Sequence, residues 1–384
     1  MTALMKNWID WQKEIKTTAC LTDVMPNAFQ LFTKQKPHQG GQLPTWAKPG
    51  QTTQLVVWLI DGLGYDQIEY ALSHQLMPHL AQLFESQRGH LHPLHTVFPS
   101  MTPVALSSLL TGRSPVDHGI LGQVIRYNGE MVNILHGPLP DTFTLSTPDV
   151  SKQAAEIGIS YHAVLEHRLL KGPLTRILHP QTSCLETFMV ASGLPVVTNS
   201  VLDDNEPGII YLYWSGVDAI NHVRGAYSPE WKSEIQSIDH WIKVFTTSHR
   251  KDTWLWITAD HGHIPMAGGL PYWDLKAHLQ WLPDVPPQVG TAIAIDVDNV
   301  ADLREFLSQW STIPIEIFST MEMWKAGYFG NTKDPEVLSR IGSHLLMPTS
   351  GWSWLITAND RHNWSHGGMS ASEMIVPWIE LSLE

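Results

Sequence analysis

Residues 55–64 have the sequence LVVWLIDGLG, in which six consecutive apolar residues are followed by Asp61, Gly62, Leu63 and Gly64. Six residues is the length of a strand, and an unbroken apolar run indicates a strand that is buried on both faces, as in parallel sheets. The two glycines indicate a turn directly after it. This stretch therefore predicts a buried parallel strand with Asp61 at its carboxyl end.

Apolar runs of strand length recur along the chain, and helix-like stretches separate them. Besides the first, the predicted strands are His95–Phe98, Tyr161–Leu165, Ile209–Trp214, Trp254–Thr258, Trp352–Thr357 and Ile375–Leu381. Strands that alternate with helices indicate an α/β fold, here a three-layer αβα architecture with a mostly parallel central sheet. In such sheets the ligand site lies at the carboxyl ends of the strands.

Two segments depart from this alternation. An N-terminal helical extension and linker is predicted at residues 1–50, and a small α+β insertion of the cap type is predicted at residues 266–340. The main α/β domain is then expected at residues 51–265 and 341–384. The predicted elements of the two segments are a helix over 1–25, a linker over 34–53 that is rich in Gly and Pro, a strand at Gly290–Val297, a helix near Val300–Trp310 and a strand near Ile313–Phe318.

The composition is that of a globular protein that does not act on polyanions. Only 16% of the 384 residues are charged and 43% are apolar, which argues against disorder and coiled coils. The net charge of −13 argues against a nucleic acid polymer as partner. Two cysteines exclude a disulfide framework, and no apolar run approaches the 20 residues or so of a membrane span. We therefore expect a cytoplasmic protein without a membrane span.

Side chains that bind metals follow several of the predicted strands. Asp61 follows the first, Asp260 and His261 follow Trp254–Thr258, and Asp218 and His222 follow Ile209–Trp214. Asp218 and His222 are four residues apart, so on a helix they share one face and can hold one ion. Each motif alone is weak, because a cap, a turn or a solvated helix face would also account for it, although the adjacent Asp260 and His261 before Gly262 are more specific.

Two further residues complete the pattern. His366 follows Trp352–Thr357, and Thr102 with Pro103 opens an apolar helical stretch, so that Thr102 sits at a helix N-terminus. Three Asp, three His and one Thr suit two adjacent divalent ions, which can clamp the attacking and leaving oxygens in a phosphoryl transfer. A Thr hydroxyl is a poor nucleophile until it is activated. The sequence therefore predicts a two-metal site beside Thr102, whose place at a helix N-terminus is compatible both with a cap and with a nucleophile.

The order of these motifs resembles that of the alkaline phosphatase superfamily, in its branch of type I phosphodiesterases and nucleotide pyrophosphatases. The segments that carry the resemblance are IDGLGYD (60–66), FPSMTPVALSSLLTGRSPVDHGI (98–120), YWSGVDAINHVRG (213–225), ITADHGH (257–263) and SHGGMSASEMIVPWIEL (365–381). Five motifs in one order are far more specific than any of them alone. The resemblance implies an alkaline-phosphatase-like fold and a hydrolase of phosphate esters.

The resemblance also implies a role for each of the seven residues. One metal lies between Asp61, Thr102, Asp260 and His261, and Asp218, His222 and His366 hold the other. Thr102 attacks phosphorus and forms a covalent phosphothreonine intermediate that water then hydrolyses. Carboxylate and imidazole ligands without thiolate suit zinc, with manganese as the alternative, and the resemblance favours two zinc ions. His263 is expected to support this site or to be structural.

The expected substrate is a small phosphate ester, and more specifically a phosphodiester or pyrophosphate-type bond. Neither Arg113 nor Arg224, the basic residues nearest to the motifs, obviously supplies the cation that a doubly charged monoester requires. A phosphomonoesterase or phosphonate hydrolase of the same superfamily is the first alternative. A non-catalytic, metal-stabilised binding protein is the alternative from another class. The sequence leaves the oligomeric state open.

Overall fold

The computed structural model describes residues 19–33, 43–147, 150–181, 184–330, 335–357 and 363–384. A seven-stranded sheet lies at its centre, in the order β2-β17-β8-β1-β7-β5-β6. The strands in the described residues are β1 Gln54–Ile60, β2 Gly89–His95, β3 Val124–Tyr127, β4 Glu130–Asn133, β5 Ser160–Glu166, β6 Leu185–Phe188, β7 Gly208–Trp214, β8 Thr253–Thr258, β9 Ile264–Pro265, β10 Gly268–Pro271, β11 Gln288–Val289, β12 Ala292–Ile295, β13 Ile315–Ser319, β14 His344–Pro348, β15 Trp352–Leu355, β16 Trp364–Ser365 and β17 Ile375–Ser382.

The central sheet is mostly parallel, as the apolar runs predict. Strand β1 pairs in parallel with β7 on one side and β8 on the other, and β5 continues the parallel order beside β7. Strand β17 alone runs antiparallel to both of its neighbours, β2 and β8. All seven residues of β1 and all seven of β7 are buried, because helices cover both faces of a parallel sheet.

Helices connect most of the strands. In the described residues the α-helices are α1 Val24–Thr33, α2 Tyr65–Ser73, α3 Pro78–Glu85, α4 Thr102–Thr111, α5 Pro115–His118, α6 Val150–Glu156, α7 Pro173–Leu178, α8 Gly193–Asp203, α9 Gly216–Arg224, α10 Pro229–Thr246, α11 Tyr272–His278, α12 Val300–Trp310, α13 Thr320–Lys325 and α14 Ala371–Met374. Short 3₁₀ helices span Leu21–Asp23, His167–Leu169 and Pro335–Arg340. Within the described residues, none of these helices combines the length and apolar character that a membrane crossing requires.

A second, six-stranded sheet has the order β13-β14-β12-β11-β3-β4. Its strands β11, β12 and β13 and the helix α12 lie in the predicted insertion, residues 266–340, and α12 has the predicted bounds. Strands β3, β4 and β14 come from outside that segment. A separate apolar cluster, which includes Leu275, Leu303 and Leu346, packs beneath this sheet. The domain boundaries themselves stay a prediction.

Two predictions of secondary structure were wrong, and one strand was missed. The run Trp352–Thr357 does not join the central sheet: its strand β15 pairs with β10 in a two-stranded sheet. Strand β2 ends at His95 rather than starting there, and β6 was not predicted. Both are edge strands, where partial exposure and a proline such as Pro93 are tolerated, so they lack a continuous apolar run.

The predicted N-terminal helix over 1–25 lies largely outside the described residues. Within them, Leu21–Asp23 is a 3₁₀ helix that leads directly into α1. Residues 34–42 of the predicted linker also lie outside the described residues. Residues 43–53 contain neither a helix nor a strand, as the Gly and Pro content predicts.

Candidate metal centre

The carboxyl ends of β1, β7 and β8 meet at one edge of the central sheet. The pairing places Ile60 opposite Trp214 and Leu59 opposite Thr258, so the three strands end at the same level. Asp61 follows Ile60 directly, and its backbone N–H donates to the carbonyl oxygen of Trp214 at 2.8 Å. The metal-binding side chains that follow these strands are therefore delivered to one place.

Helix α9 begins after β7 and carries Asp218 and His222 on one face. Nε2 of His222 lies 3.2 Å from Oδ1 of Asp218, as the spacing of four residues predicts. The backbone N–H of Asp218 donates to the carbonyl oxygen of Asp61 at 3.0 Å. This hydrogen bond ties the start of α9 to the end of β1.

Asp260 and His261 follow β8 and are fully buried. Nε2 of His261 lies 3.3 Å from Oδ2 of Asp260 and 3.5 Å from Oδ1 of Asp61. Thr102 is the first residue of α4, and its Oγ1 lies 3.3 Å from the same Nε2 of His261. The hydroxyl thus stands at a helix N-terminus, beside the imidazole that the carboxylates of Asp61 and Asp260 also approach.

His366 reaches the site by a different route from the predicted one. It follows β16, which pairs antiparallel with β9, the strand that begins three residues after His261. Its Nε2 lies 3.7 Å from Oδ1 of Asp218, and its ring stacks on that of His261 with centroids 3.5 Å apart. All seven predicted site residues therefore lie together, although their roles stay a prediction.

Three imidazoles of the site turn Nδ1 toward a backbone carbonyl oxygen. The contacts are His222 with Trp364 at 2.9 Å, His366 with Ser100 at 2.9 Å and His261 with Gly262 at 3.2 Å. A carbonyl oxygen only accepts hydrogen bonds, so Nδ1 carries the hydrogen and Nε2 keeps its lone pair. Each Nε2 then faces a carboxylate oxygen, and a cation between them relieves the repulsion.

The carboxylates of Asp61 and Asp260 likewise use one oxygen in a hydrogen bond and leave the other without one. Oδ2 of Asp61 accepts from the Tyr213 hydroxyl, and Oδ1 of Asp260 accepts from the backbone N–H of Gly62, at 3.0 Å. Their other oxygens, Asp61 Oδ1 and Asp260 Oδ2, are buried and make no hydrogen bond, and the same holds for Asp218 Oδ1. Buried polar atoms without partners are costly, so these three oxygens fit cation ligands.

The electrostatics of the site also favour cations. Burial, together with the charges of Asp260 and Asp218, raises the pKa of Asp61 well above its ordinary value. Burial is also the main reason that the pKa of Asp260 rises to about 7, and Asp218 adds to the effect. Three carboxylates in one buried site repel each other, and divalent cations offset that repulsion. The residues present thus fit divalent metal ions.

Five of the seven site residues line a cavity of about 1330 Å³: Asp61, Thr102, Asp218, His222 and His366. Its walls combine the ends of the central strands with β3, β4, β12 and β15. Arg168 lines it and, among the described residues, is its one Lys or Arg. Arg113 and Arg224 do not line it, and Arg224 pairs with Glu230 at 3.3 Å. The cavity is therefore lined by a positively charged side chain, that of Arg168, which the sequence patterns did not predict.

The sequence carried a signal for Arg168, although a weak one. It follows β5, a predicted strand, and so lies at the same edge of the sheet as the other site residues. Its Nη2 lies 2.6 Å from Oγ of Ser215 and 3.0 Å from Oε2 of Glu166. Arg168 thus stands at the carboxyl end of β5, where ligands of α/β sheets bind.

The fold is similar to that of several solved phosphoester and phosphonate hydrolases. Phosphonoacetate hydrolase from Sinorhizobium meliloti 1021, in complex with phosphonoformate, shares 20% identity at a TM-score of 0.66, covering 86% of this chain and 90% of that chain. Human ectonucleotide pyrophosphatase/phosphodiesterase 5 shares 18% identity at a TM-score of 0.63, and the match covers 85% of this chain and 87% of that chain. An inactive variant of the murine protein, in complex with AMP, shares 15% identity at a TM-score of 0.62, and the match covers 85% of this chain and 87% of that chain. No curated protein sequence matches the chain.

Together, the fold and the site define a protein of the alkaline-phosphatase-like fold class with a candidate metal centre. Within that class, residues 55–137 and 147–368 match the family model of type I phosphodiesterases and nucleotide pyrophosphatases. The matched residues make up most of the chain, and the protein belongs to this family.

Proposed function

We propose that the protein hydrolyses small phosphodiesters or pyrophosphate-type bonds, with Thr102 as the nucleophile and two divalent cations. The observation that carries the proposal is the position of Thr102. Thr102 lines the cavity, and its hydroxyl lies 3.3 Å from Nε2 of His261, which is itself 3.3 Å and 3.5 Å from carboxylate oxygens of Asp260 and Asp61 that make no hydrogen bond. A hydroxyl in such a place is accessible from the cavity and stands among groups that can hold a cation, and a bound cation makes the hydroxyl a stronger nucleophile.

Two cations held there supply Lewis acidity at the phosphoryl oxygens and lower the pKa of the hydroxyl. One site has Asp61, Thr102, Asp260 and His261, and the other has Asp218, His222 and His366. Zinc suits both sets, and manganese is the alternative, because three imidazoles disfavour magnesium.

The chain's own residues orient the reaction. Thr102 Oγ1 attacks phosphorus as the bond to the leaving oxygen breaks, which gives a phosphothreonine, and water then cleaves this ester. The backbone N–H groups at the start of α4 and the positive end of its dipole face the same place and favour a phosphate group there. The cavity volume of about 1330 Å³ leaves room for two substituents on phosphorus, which supports a diester.

A phosphonate hydrolase is the second candidate, and Arg168 favours it. A guanidinium in the cavity is a counter-charge for a substrate with a second anionic group, such as the carboxylate of phosphonoacetate. Phosphonoacetate is the ligand of a structure similar to this one. Arg168 is partly neutralised by Glu166, 3.0 Å away, so the diester is preferred.

The test compares substrates on one preparation loaded with zinc or manganese. We expect kcat/KM for bis-p-nitrophenyl phosphate to exceed that for p-nitrophenyl phosphate at least tenfold. Release of inorganic phosphate from phosphonoacetate, faster than turnover of either ester, would establish the second candidate instead. Diester turnover tenfold below monoester turnover would overturn the preference for diesters.

A further inference from the structure

His263 lies in the metal centre, although the sequence analysis expected it to support the site or to be structural. Its side chain is 1% exposed, and its Nε2 lies 3.1 Å from Oδ1 of Asp218. This is the shortest of the three imidazole contacts to that oxygen, since His222 is at 3.2 Å and His366 at 3.7 Å. His263 therefore stands as close to Asp218 as the residues predicted to share a metal with it.

The ring is oriented by the turn after β1. Nδ1 of His263 lies 3.2 Å from the carbonyl oxygen of Gly62. Nδ2 of Asn221 lies 3.2 Å from the same oxygen and 3.2 Å from Nδ1. A carbonyl oxygen cannot donate, so the contact between Nδ1 and Gly62 is a hydrogen bond in the tautomer in which Nδ1 carries the hydrogen and Nε2 keeps a lone pair.

That lone pair has no partner of its own. Nε2 of His263 and Oδ1 of Asp218 are both buried, and neither makes a hydrogen bond. Two buried acceptors 3.1 Å apart repel each other unless a cation lies between them. The ligand atoms of Asp218, His222, His263 and His366 all lie within 4.8 Å of one another, which is compact enough for a single ion.

The turn also makes room for the ring. Gly62 has φ of +74°, and a Cβ there would lie 2.5 Å from Cε1 of His263. The left-handed backbone aims the Gly62 carbonyl at the ring, and the missing side chain lets the imidazole approach. The position of His263 thus follows from a backbone feature of the site itself.

We propose that His263 is a metal ligand, which gives one of the two sites three imidazoles and one carboxylate. The proposal rests on the proposed two-metal function. Nitrogen-rich ligand sets favour zinc and cobalt over manganese and magnesium. The other site, with two carboxylates, a hydroxyl and one imidazole, is richer in oxygen, so the two sites differ in the metals they select.

Metal binding tests this without recourse to activity. The full-length protein is stripped with a chelator and titrated with Co²⁺ and Zn²⁺, as wild type, His263→Gln and His263→Ala. We expect both variants to lose at least tenfold in affinity for one of two zinc equivalents, and their Co²⁺ visible bands to shift and weaken as one nitrogen ligand is lost. The control His240→Gln removes an exposed imidazole from α10 and should leave both readouts unchanged.

The alternative is that His263 Nε2 donates a hydrogen bond to Asp218 and only positions it. Gln can still donate there, and the ligand set is then unchanged. A Co²⁺ spectrum of His263→Gln with wild-type band positions and intensities would overturn the proposal. If His263→Ala does not fold, the titrations of His263→Gln alone still test the proposal. Metal binding as predicted, with no hydrolysis of any phosphoester, would instead refute the proposed function and leave this inference standing.

Discussion

The hydroxyl oxygen of Thr102 lies 3.3 Å from Nε2 of His261, although 159 residues separate the two in the chain. Nδ1 of His261 faces a carbonyl oxygen, so Nε2 is the ring atom free to accept the hydroxyl hydrogen. One residue comes from the N-terminus of α4 and the other from the end of β8. The contact joins the predicted nucleophile to the carboxylate-rich edge of the sheet.

Replacing Thr102 separates an enzyme from a metal-stabilised binding protein. In Thr102→Ala we expect turnover of bis-p-nitrophenyl phosphate to fall at least about 1000-fold, because the attacking atom is removed. The control is Thr144→Ala, which changes an exposed threonine that does not line the cavity. A Thr102→Ala protein with more than a tenth of wild-type activity would rule out Thr102 as the nucleophile.

Removal of the metals should abolish activity and lower thermal stability together. Without cations, Asp61, Asp218 and Asp260 share one buried site, and their oxygens that make no hydrogen bond are left without compensation. Differential scanning calorimetry with and without a chelator measures the loss, and added Zn²⁺ should restore both properties. Unchanged activity after exhaustive chelation would exclude metal catalysis.

Arg168 should affect only substrates that carry a second anionic group. For Arg168→Ala we expect KM for phosphonoacetate to rise about tenfold, since a charge-assisted hydrogen bond to its carboxylate is lost. For bis-p-nitrophenyl phosphate the constants should stay within twofold. Arg224→Ala is the matched control, because Arg224 is outside the cavity. Equal losses for all substrates would point to a structural role for Arg168.

His118 should make the fold sensitive to acid. It is fully buried, Nδ1 accepts from the backbone N–H of Ile120 at 3.1 Å, and Nε2 then donates to Oγ of Ser108 at 2.9 Å. Burial, with a smaller effect of Arg340, lowers the pKa of His118 to about 3. The unfolded chain, with a pKa near 6.5, binds the proton first, so stability is full above about pH 6.5 and falls as the pH drops toward 3.

The expected loss is about 1.4 kcal/mol per pH unit below 6.5, or about 2 kcal/mol at pH 5. Urea unfolding of chelated protein at pH 7.5 and pH 5, compared between wild type and His118→Gln, measures it without a contribution from bound metal. The variant is less stable at pH 7.5, but the difference should shrink at pH 5. A difference that is independent of pH would show that the pKa of His118 is the same in the folded and the unfolded protein, and would contradict the prediction.

Much of the fold could be predicted from local sequence. The apolar runs that became β1, β7 and β8 are buried on both faces, so their composition alone marks them as strands of a parallel sheet. Helix α12 has the predicted bounds because its apolar spacing is regular and Asn299 caps its start. Edge strands such as β2 and β6 could not be found in this way, since partial exposure removes the pattern.

The candidate site likewise has some features that local sequence predicts and others that depend on contacts between distant segments. Local sequence specifies which ligand types follow which strands, because the end of a buried apolar run and a spacing of four residues on a helix are local features. The packing of distant segments is what places His263 against Asp218, brings Arg168 to the cavity and brings His366 in through β16. The direction of each imidazole depends on carbonyl groups from elsewhere, Ser100 for His366 and Gly62 for His263, and such contacts exist only once distant segments have packed together.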